Sequence, residues 1–315
     1  MSIGVLSQVQ NPSLADVREL AVAAEAAGAD WLGVPDAFWW HDTWLLAAEA
    51  LRATTRLAVG PFVTNPYLRH PFHTAAAVAT LQAIGGPRVI LGLGAGGSEL
   101  PASTGIDRGD APRRLADMVE LFDRVAAGAP LSEVSGRRLE PRLDRPPITI
   151  ASRAGTVLRA GGALADDVLL WAVPRSELAR SRSLVDAGAS ERERPPTLTW
   201  TPLLVDPGEW ERAATQHSAA YAVLNSRTET RRRWGLDERG ERELRHAVVA
   251  GEPLDGLVPD AALQDVLVAL EDPDDAADLA QSIRADGIAV PAASADQIAL
   301  RVPWAARVLG ASVTV

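Results

Sequence analysis

Short apolar runs alternate along the chain with longer stretches of helical period. Ile3–Val9 reads as a strand, and Leu14–Ala27 repeats apolar residues at Leu14, Val17, Leu20 and Ala21 before stopping at Gly28. The same pattern predicts strands at Trp31–Val34, Leu57–Val63, Val89–Leu93, Ile148–Ala151, Val168–Trp171, Thr197–Val205 and Ile288–Val290. It predicts helices at Trp44–Ala53, Thr74–Ile84, Pro112–Ala127, Thr156–Ala165, Glu177–Ala187, Asp275–Ala285 and Ala295–Val308. Residues 128–146 read as loop, and 209–265 as a mostly helical insertion without a strand. Strands separated by helices imply an α/β fold with a parallel sheet. Two architectures fit: an open doubly wound sheet, or a closed (β/α)8 TIM barrel.

In a barrel, chemistry gathers where strands end. After the second strand stand Asp36, Phe38, Trp39, Trp40, His41 and Asp42. An acid, three aromatics and a His-Asp pair suit a pocket for a flat ring; the competing reading is a hydrophobic lid, with Asp36 and Asp42 as helix caps. After the third strand comes VTNPYLRHP, residues 63 to 71. Asn65 before Pro66 forces extended backbone, and Arg69 and His70 fall near the start of a helix opened by Pro71. After the fourth strand Gly94, Gly96, Gly97 and Ser98 let backbone approach a ligand closely. After the fifth, Ser152, Arg153, Ala154, Gly155 and Thr156 lead into a helix, which makes either an anion site or an ordinary Ser/Thr cap. Trp171 offers another flat surface, and Trp200 and Thr201 are further candidates for the mouth.

Composition narrows the chemistry. The 315 residues contain no cysteine, which excludes disulfides, thiolate ligands and a thiol nucleophile. All 31 basic residues are arginine, so Schiff-base and lysine general-base chemistry are excluded as well. A net charge of −10 argues against nucleic acid as a partner. No apolar run is long enough to span a membrane, and the first residues do not read as a signal peptide, so a cytoplasmic location is expected. The five histidines are scattered, no metal site is expected, and GxxxxGKS/T, HExxH and GxSxG do not occur.

VTNPYLRHP, a helix containing ATL, PRVILGLGAGGSE and SRAGTVLRAGGALADDVLL occur in that order. Together they resemble the luciferase-like monooxygenase superfamily, most closely its F420-dependent branch, over roughly residues 1–175. The resemblance implies a single (β/α)8 barrel spanning 1–315, with a flavin or deazaflavin ring at the mouth. It implies a bulge with a cis peptide at about Phe62-Val63 behind that ring, followed by Thr64 and Asn65. Phosphate would be held near Ala154, Gly155 and Thr156, with further contacts from the glycine loop, and Asp36 would border the cofactor. Arg69 or Arg153 would help hold an anionic tail. A histidine that follows this aspartate in several deazaflavin enzymes is Ala37 here, and a glutamate of sugar-phosphate relatives corresponds to Gly97. His41 and Glu99 are the substitute acid–base candidates. Phe38, Trp39, Trp40 and Trp171 are the candidate substrate wall. The implied function is hydride transfer between F420 and a small apolar or conjugated molecule. The alternatives are a reduced-FMN monooxygenase fed by a flavin reductase, and a barrel that only binds a flavin or a partner. The insertion is expected to cover the mouth or to make a homodimer contact.

Overall fold

Eight of the apolar runs lie side by side and parallel in the computed structural model, which describes residues 1–310 apart from 98, 133, 135, 141, 215 and 216. In chain order the strands are β1 (Ser2–Ser7), β2 (Trp31–Val34), β3 (Ala58–Pro61), β4 (Leu91–Gly94), β5 (Ile148–Ala151), β6 (Asp167–Trp171), β7 (Thr197–Thr201), β8 (Leu203–Val205), β9 (Leu267–Ala269) and β10 (Gly287–Ala292). The large sheet runs β3-β2-β1-β10-β7-β6-β5-β4. Its two ends meet through the parallel bridges Val59–Val89 and Thr64–Leu93. Thr64 N donates to Gly92 O at 2.9 Å, and Gly94 N to Thr64 O at 2.8 Å. The sheet therefore closes as a (β/α)8 barrel, and the open-sheet alternative falls away.

The closing seam is irregular. The stretch from Val59 to Thr64 is one residue longer than the stretch it faces, Val89 to Leu93, so the β3 side bulges. The Phe62-Val63 peptide within the bulge is cis.

Alternation along the strands sorts the side chains. One set packs outward against the helices and forms the main core, which includes Val5, Leu32, Leu91, Ile150 and Trp200. The other set fills the barrel: Leu6, Trp31, Leu169 and Ala289, with Phe62, Ala151 and Trp171 partly buried against them. Trp31 and Phe62 stack with centroids 4.7 Å apart. Glycines opposite make the room, since a Cβ on Gly4 would lie 2.1 Å from the Trp31 ring.

At the N-terminal end of the barrel one device recurs. Asp30, Asp166 and Asp286 each stand just before a strand and accept the backbone N–H of Ile3, Ile148 and Leu198 at 2.7, 2.8 and 2.9 Å. Glu25 does the same for Thr55, Arg56 and Leu57 at 3.0, 2.7 and 2.8 Å. Burial would raise the Glu25 carboxyl, but these backbone donors outweigh it and hold the group down at about 2.

Between β7 and β10 the chain leaves the barrel. The predicted strand Thr197–Val205 breaks at Pro202, and β8 pairs with β9 as a separate two-stranded sheet. The helices Trp210–Ala214, His217–Leu224, Thr228–Arg233, Glu238–Ala250 and Asp260–Val266 follow, with a core of their own around Val223, Trp234 and Leu244. No helix among the described residues is long and apolar enough to cross a membrane.

Candidate active site

The C-terminal ends of the strands surround a cavity of about 830 Å³. Leu6, Phe62, Ala151 and Leu169 rise into its floor from inside the barrel. One wall is the bulge, where Phe62, Val63 and Asn65 face the space. Asn65 is buried, and its Oδ1 accepts from Tyr67 N and Leu68 N, both at 3.1 Å, so it also fixes the turn after the bulge. Thr64 is buried in the seam beside Asp36. Gly94, Gly96 and Gly97 pass along the next side. A Cβ on Gly94 would lie 2.7 Å from Val63 Cγ2, so only glycine lets the fourth strand run this close to the bulge.

The wall after β2 carries Asp36, Phe38 and Trp39. Burial pushes the Asp36 carboxyl up, and Asp42 adds to this; the Thr64 hydroxyl and Arg69 pull against it. Trp40 does not line the cavity and packs edge-on to Trp39, with centroids 6.3 Å apart. His41 is exposed and outside the cavity, and its backbone N–H donates to Asn11 Oδ1 at 3.0 Å. Arg69 also stands outside: it pairs with Asp42 at 2.9 Å and lies over Trp44. Asp42 caps the helix Thr43–Ala53, and His70 Nδ1 caps Pro71–Gly85 by accepting from Phe72 N at 3.2 Å. Most of the polar mixture in VTNPYLRHP is thus spent on turns and caps, while Asn65 and Leu68 reach the cavity. Trp200 belongs to the shell between strands and helices. Ser98 lies outside the described residues; Glu99 opens the helix Glu99–Thr104, and its side chain is likewise outside what the structure describes.

On the far side the helix Gly155–Leu164 begins at Ala154 with no side chain capping it. Ser152 Oγ accepts from Ala154 N at 3.0 Å and does not serve the helix itself. The ordinary-cap reading therefore fails, and the first-turn N–H groups remain free for an anion. Ala154 and Thr156 also line an adjoining recess of about 360 Å³ together with Arg108, whose Nη1 donates to Gly96 O at 3.0 Å. Arg153 turns the other way, toward Trp171 and the insertion.

Sequence reading expected the insertion to cover the mouth or make a homodimer contact, but named none of the residues it brings to the cavity. Tyr221, Asn225, Ser226 and Arg227 line the cavity, as does Glu177 from the helix Arg175–Gly188. Their helical context gave no signal, because what aims them is the insertion's docking. Buried Glu177 accepts from the Thr230 hydroxyl and pairs with Arg227 at 3.3 Å. Among the described residues the finished cavity carries four arginines (Arg108, Arg153, Arg180 and Arg227) against two carboxylates, Asp36 and Glu177. An acidic protein thus presents a basic cavity, which favours anionic ligands.

Residues 1–289 match the family described as luciferase-like monooxygenase. The chain belongs to this family. Within its length, the 5,10-methylenetetrahydromethanopterin reductase of Archaeoglobus fulgidus is 26% identical over 236 residues, 71% of each chain. The F420-dependent glucose-6-phosphate dehydrogenase of Beutenbergia cavernae is 30% identical over 188 residues, 53% of this chain and 55% of that one. The solved coenzyme F420 dependent tetrahydromethanopterin reductase from Methanopyrus kandleri has the same fold, with a TM-score of 0.79 at 20% identity over 96% of this chain and 97% of that one. This luciferase-like barrel has its irregular seam, its glycine loop and its uncapped helix around the cavity just described.

Proposed function

We propose that the protein is an F420-dependent oxidoreductase acting on a small, largely apolar or conjugated molecule. The observation that carries this reading is the cavity itself: a wall of Phe62 and Val63 on one side, and an uncapped helix start beside Arg108 on the other. That is the pairing a planar ring with a phosphate-bearing chain requires. The similarity to enzymes named as F420-dependent supports the deazaflavin over FMN.

When bound, the deazaflavin supplies the hydride chemistry. The residues of this chain bind and orient. Phe62 and Val63 would back the ring, the free N–H groups of Gly155 and Thr156 would hold phosphate, and Arg108 would add charge beside them. Phe38, Trp39 and Trp171 would exclude water from the substrate side. Of the two described carboxyls in the cavity wall, Glu177 is paired with Arg227, which leaves Asp36. Burial keeps it protonated to higher pH than a solvated aspartate, so its carboxyl can hold a proton where Ala37 cannot.

Titration of the protein with F420 and, separately, with FMN tests the reading through quenching of its nine tryptophans, of which Trp39 and Trp171 line the cavity. F420 is expected to bind tightly and FMN weakly. Tight binding of FMN alone would replace the proposal with a reduced-FMN monooxygenase that needs a separate flavin reductase. Binding of neither would remove the enzyme reading.

A further inference from the structure

Arg153 is a cation in the cavity wall without an anionic partner. Its Nη1 donates to Ala222 O in the insertion at 3.0 Å. The guanidinium lies 4.7 Å from the centroid of the Trp171 ring and 5.6 Å from that of Tyr221. Among the described residues it forms no ion pair, and the nearby carboxylate, Glu177, is committed to Arg227 and Thr230. Burial lowers the Arg153 pKa to about 10, which leaves the group charged at neutral pH. A half-buried charge with no carboxylate against it is costly, and a ligand carboxylate would offset that cost.

Cofactor phosphate does not account for this group. Ala154, Thr156 and Arg108 line the adjoining recess beside Asp107, and Arg153 does not, although Ala154, Gly155 and Arg108 reach the main cavity as well. The Arg153 guanidinium, turned toward Ala222 O, Trp171 and Tyr221, thus marks a second position for an anion beside the first. The second lies between two aromatic faces, Trp171 and Tyr221, which stand edge to face with centroids 5.9 Å apart. Tyr221 comes from the insertion helix His217–Leu224 and reaches across the mouth: its hydroxyl would meet a Cβ on Gly97 at 3.4 Å. This position is therefore roofed and partly apolar.

We propose that Arg153, Trp171 and Tyr221 form a second anion subsite, which takes the carboxylate of a substrate whose body is flat and apolar. A phosphate site gathers several N–H donors, whereas this one offers a single planar guanidinium between rings, the match for a carboxylate on a flat body. The proposal rests on the cavity being a combined cofactor and substrate site.

The test compares naphthalene-2-carboxylate with its neutral amide, by tryptophan quenching and by calorimetry, on the protein alone and loaded with F420. The acid is expected to bind at least about tenfold more tightly than the amide in both states. Arg153→Gln should abolish that preference and leave F420 affinity within about twofold, while Arg153→Lys keeps part of the preference. Inorganic phosphate should compete poorly with the acid. Equal binding of acid and amide, no binding of the acid up to about 10 mM, or displacement by phosphate at equal concentration would overturn the proposal. So would a fall in F420 affinity in Arg153→Gln as large as the loss of acid preference, since the guanidinium would then serve the cofactor. Failure of F420 itself to bind is read separately, because the acid–amide comparison without cofactor decides the subsite alone.

Discussion

At Gly94 one methyl group would change the site. A Cβ there would stand 2.7 Å from Val63 Cγ2, against the wall that the bulge presents to the cavity. Relief requires the wall to move, and overpacking of this kind costs about 1–3 kcal/mol. Gly94→Ala is therefore expected to weaken cofactor binding at least about tenfold while the melting transition stays cooperative. An unchanged cofactor affinity would show that the bulge does not back the ring. Trp171 shows strain of another kind at the same mouth: the residue after it, Ala172, is held in the left-handed region at φ 49°. Such backbone persists where surrounding structure over-determines it, and here it sets the exit of β6 beneath the subsite.

The elements around the barrel are tied by buried charge as well as by apolar packing. Where the insertion begins, Asp206 receives Arg301 of the last helix, Ala295–Val308, through Nε at 2.9 Å and Nη2 at 2.8 Å, and Gln297 adds a contact at 3.2 Å. Arg301 is only 7% exposed. Removing the carboxylate would leave that guanidinium buried and unpaired, so Asp206→Ala is expected to cost about 3–5 kcal/mol in urea unfolding. A cost below about 0.5 kcal/mol would mean that water replaces the carboxylate. The insertion helices needed such anchors to become part of the site. Their apolar spacing predicted helices, yet Arg227 stands in the cavity wall held by Glu177, which also accepts from Thr230.

The molecule as a whole carries a pH dependence away from its chemistry. Asp167 lies at the N-terminal end of the barrel, where its Oδ1 accepts from Thr197 Oγ1 at 2.8 Å and Thr199 Oγ1 at 2.9 Å. Burial pushes its carboxyl up to about 6, against the pull of these hydroxyls. A group raised on folding contributes stability in its protonated form: the contribution is complete below about 3.8 and is lost as pH rises through about 6. The loss is on the order of 2–3 kcal/mol. Asp167→Asn, which cannot ionise, should therefore gain on the natural protein by that amount between pH 4 and pH 8, read from urea midpoints. The same difference between the two proteins at both pH values would show that the carboxyl is not raised.

Local pattern was enough for the alternation of strands and helices, while the choice of a barrel over an open sheet came from the resemblance. The two strands at Trp31–Val34 and Ile148–Ala151 and the last helix have the bounds their apolar runs predict, because periodicity and turn residues act within a few neighbours. The bulge, the glycine loop and the helix at Gly155 were legible through resemblance of contiguous motifs, and they do stand around one cavity. What sequence could not decide was direction. His41 and Arg69 face outward although they sit beside the site in sequence, since a loop's side chains are aimed by the surfaces it packs on. Trp31 reads as one more apolar strand residue, but closure of the sheet turns it inward against Phe62. Tyr221, nearly 70 residues from Arg153, meets it only when the insertion folds back over the mouth. Sequence determined most of the strands and helices of this protein, though not the break at Pro202 or the small sheet it creates. Tertiary structure decided which charges remain unpaired in the cavity, because pairing depends on contacts between segments far apart in the chain.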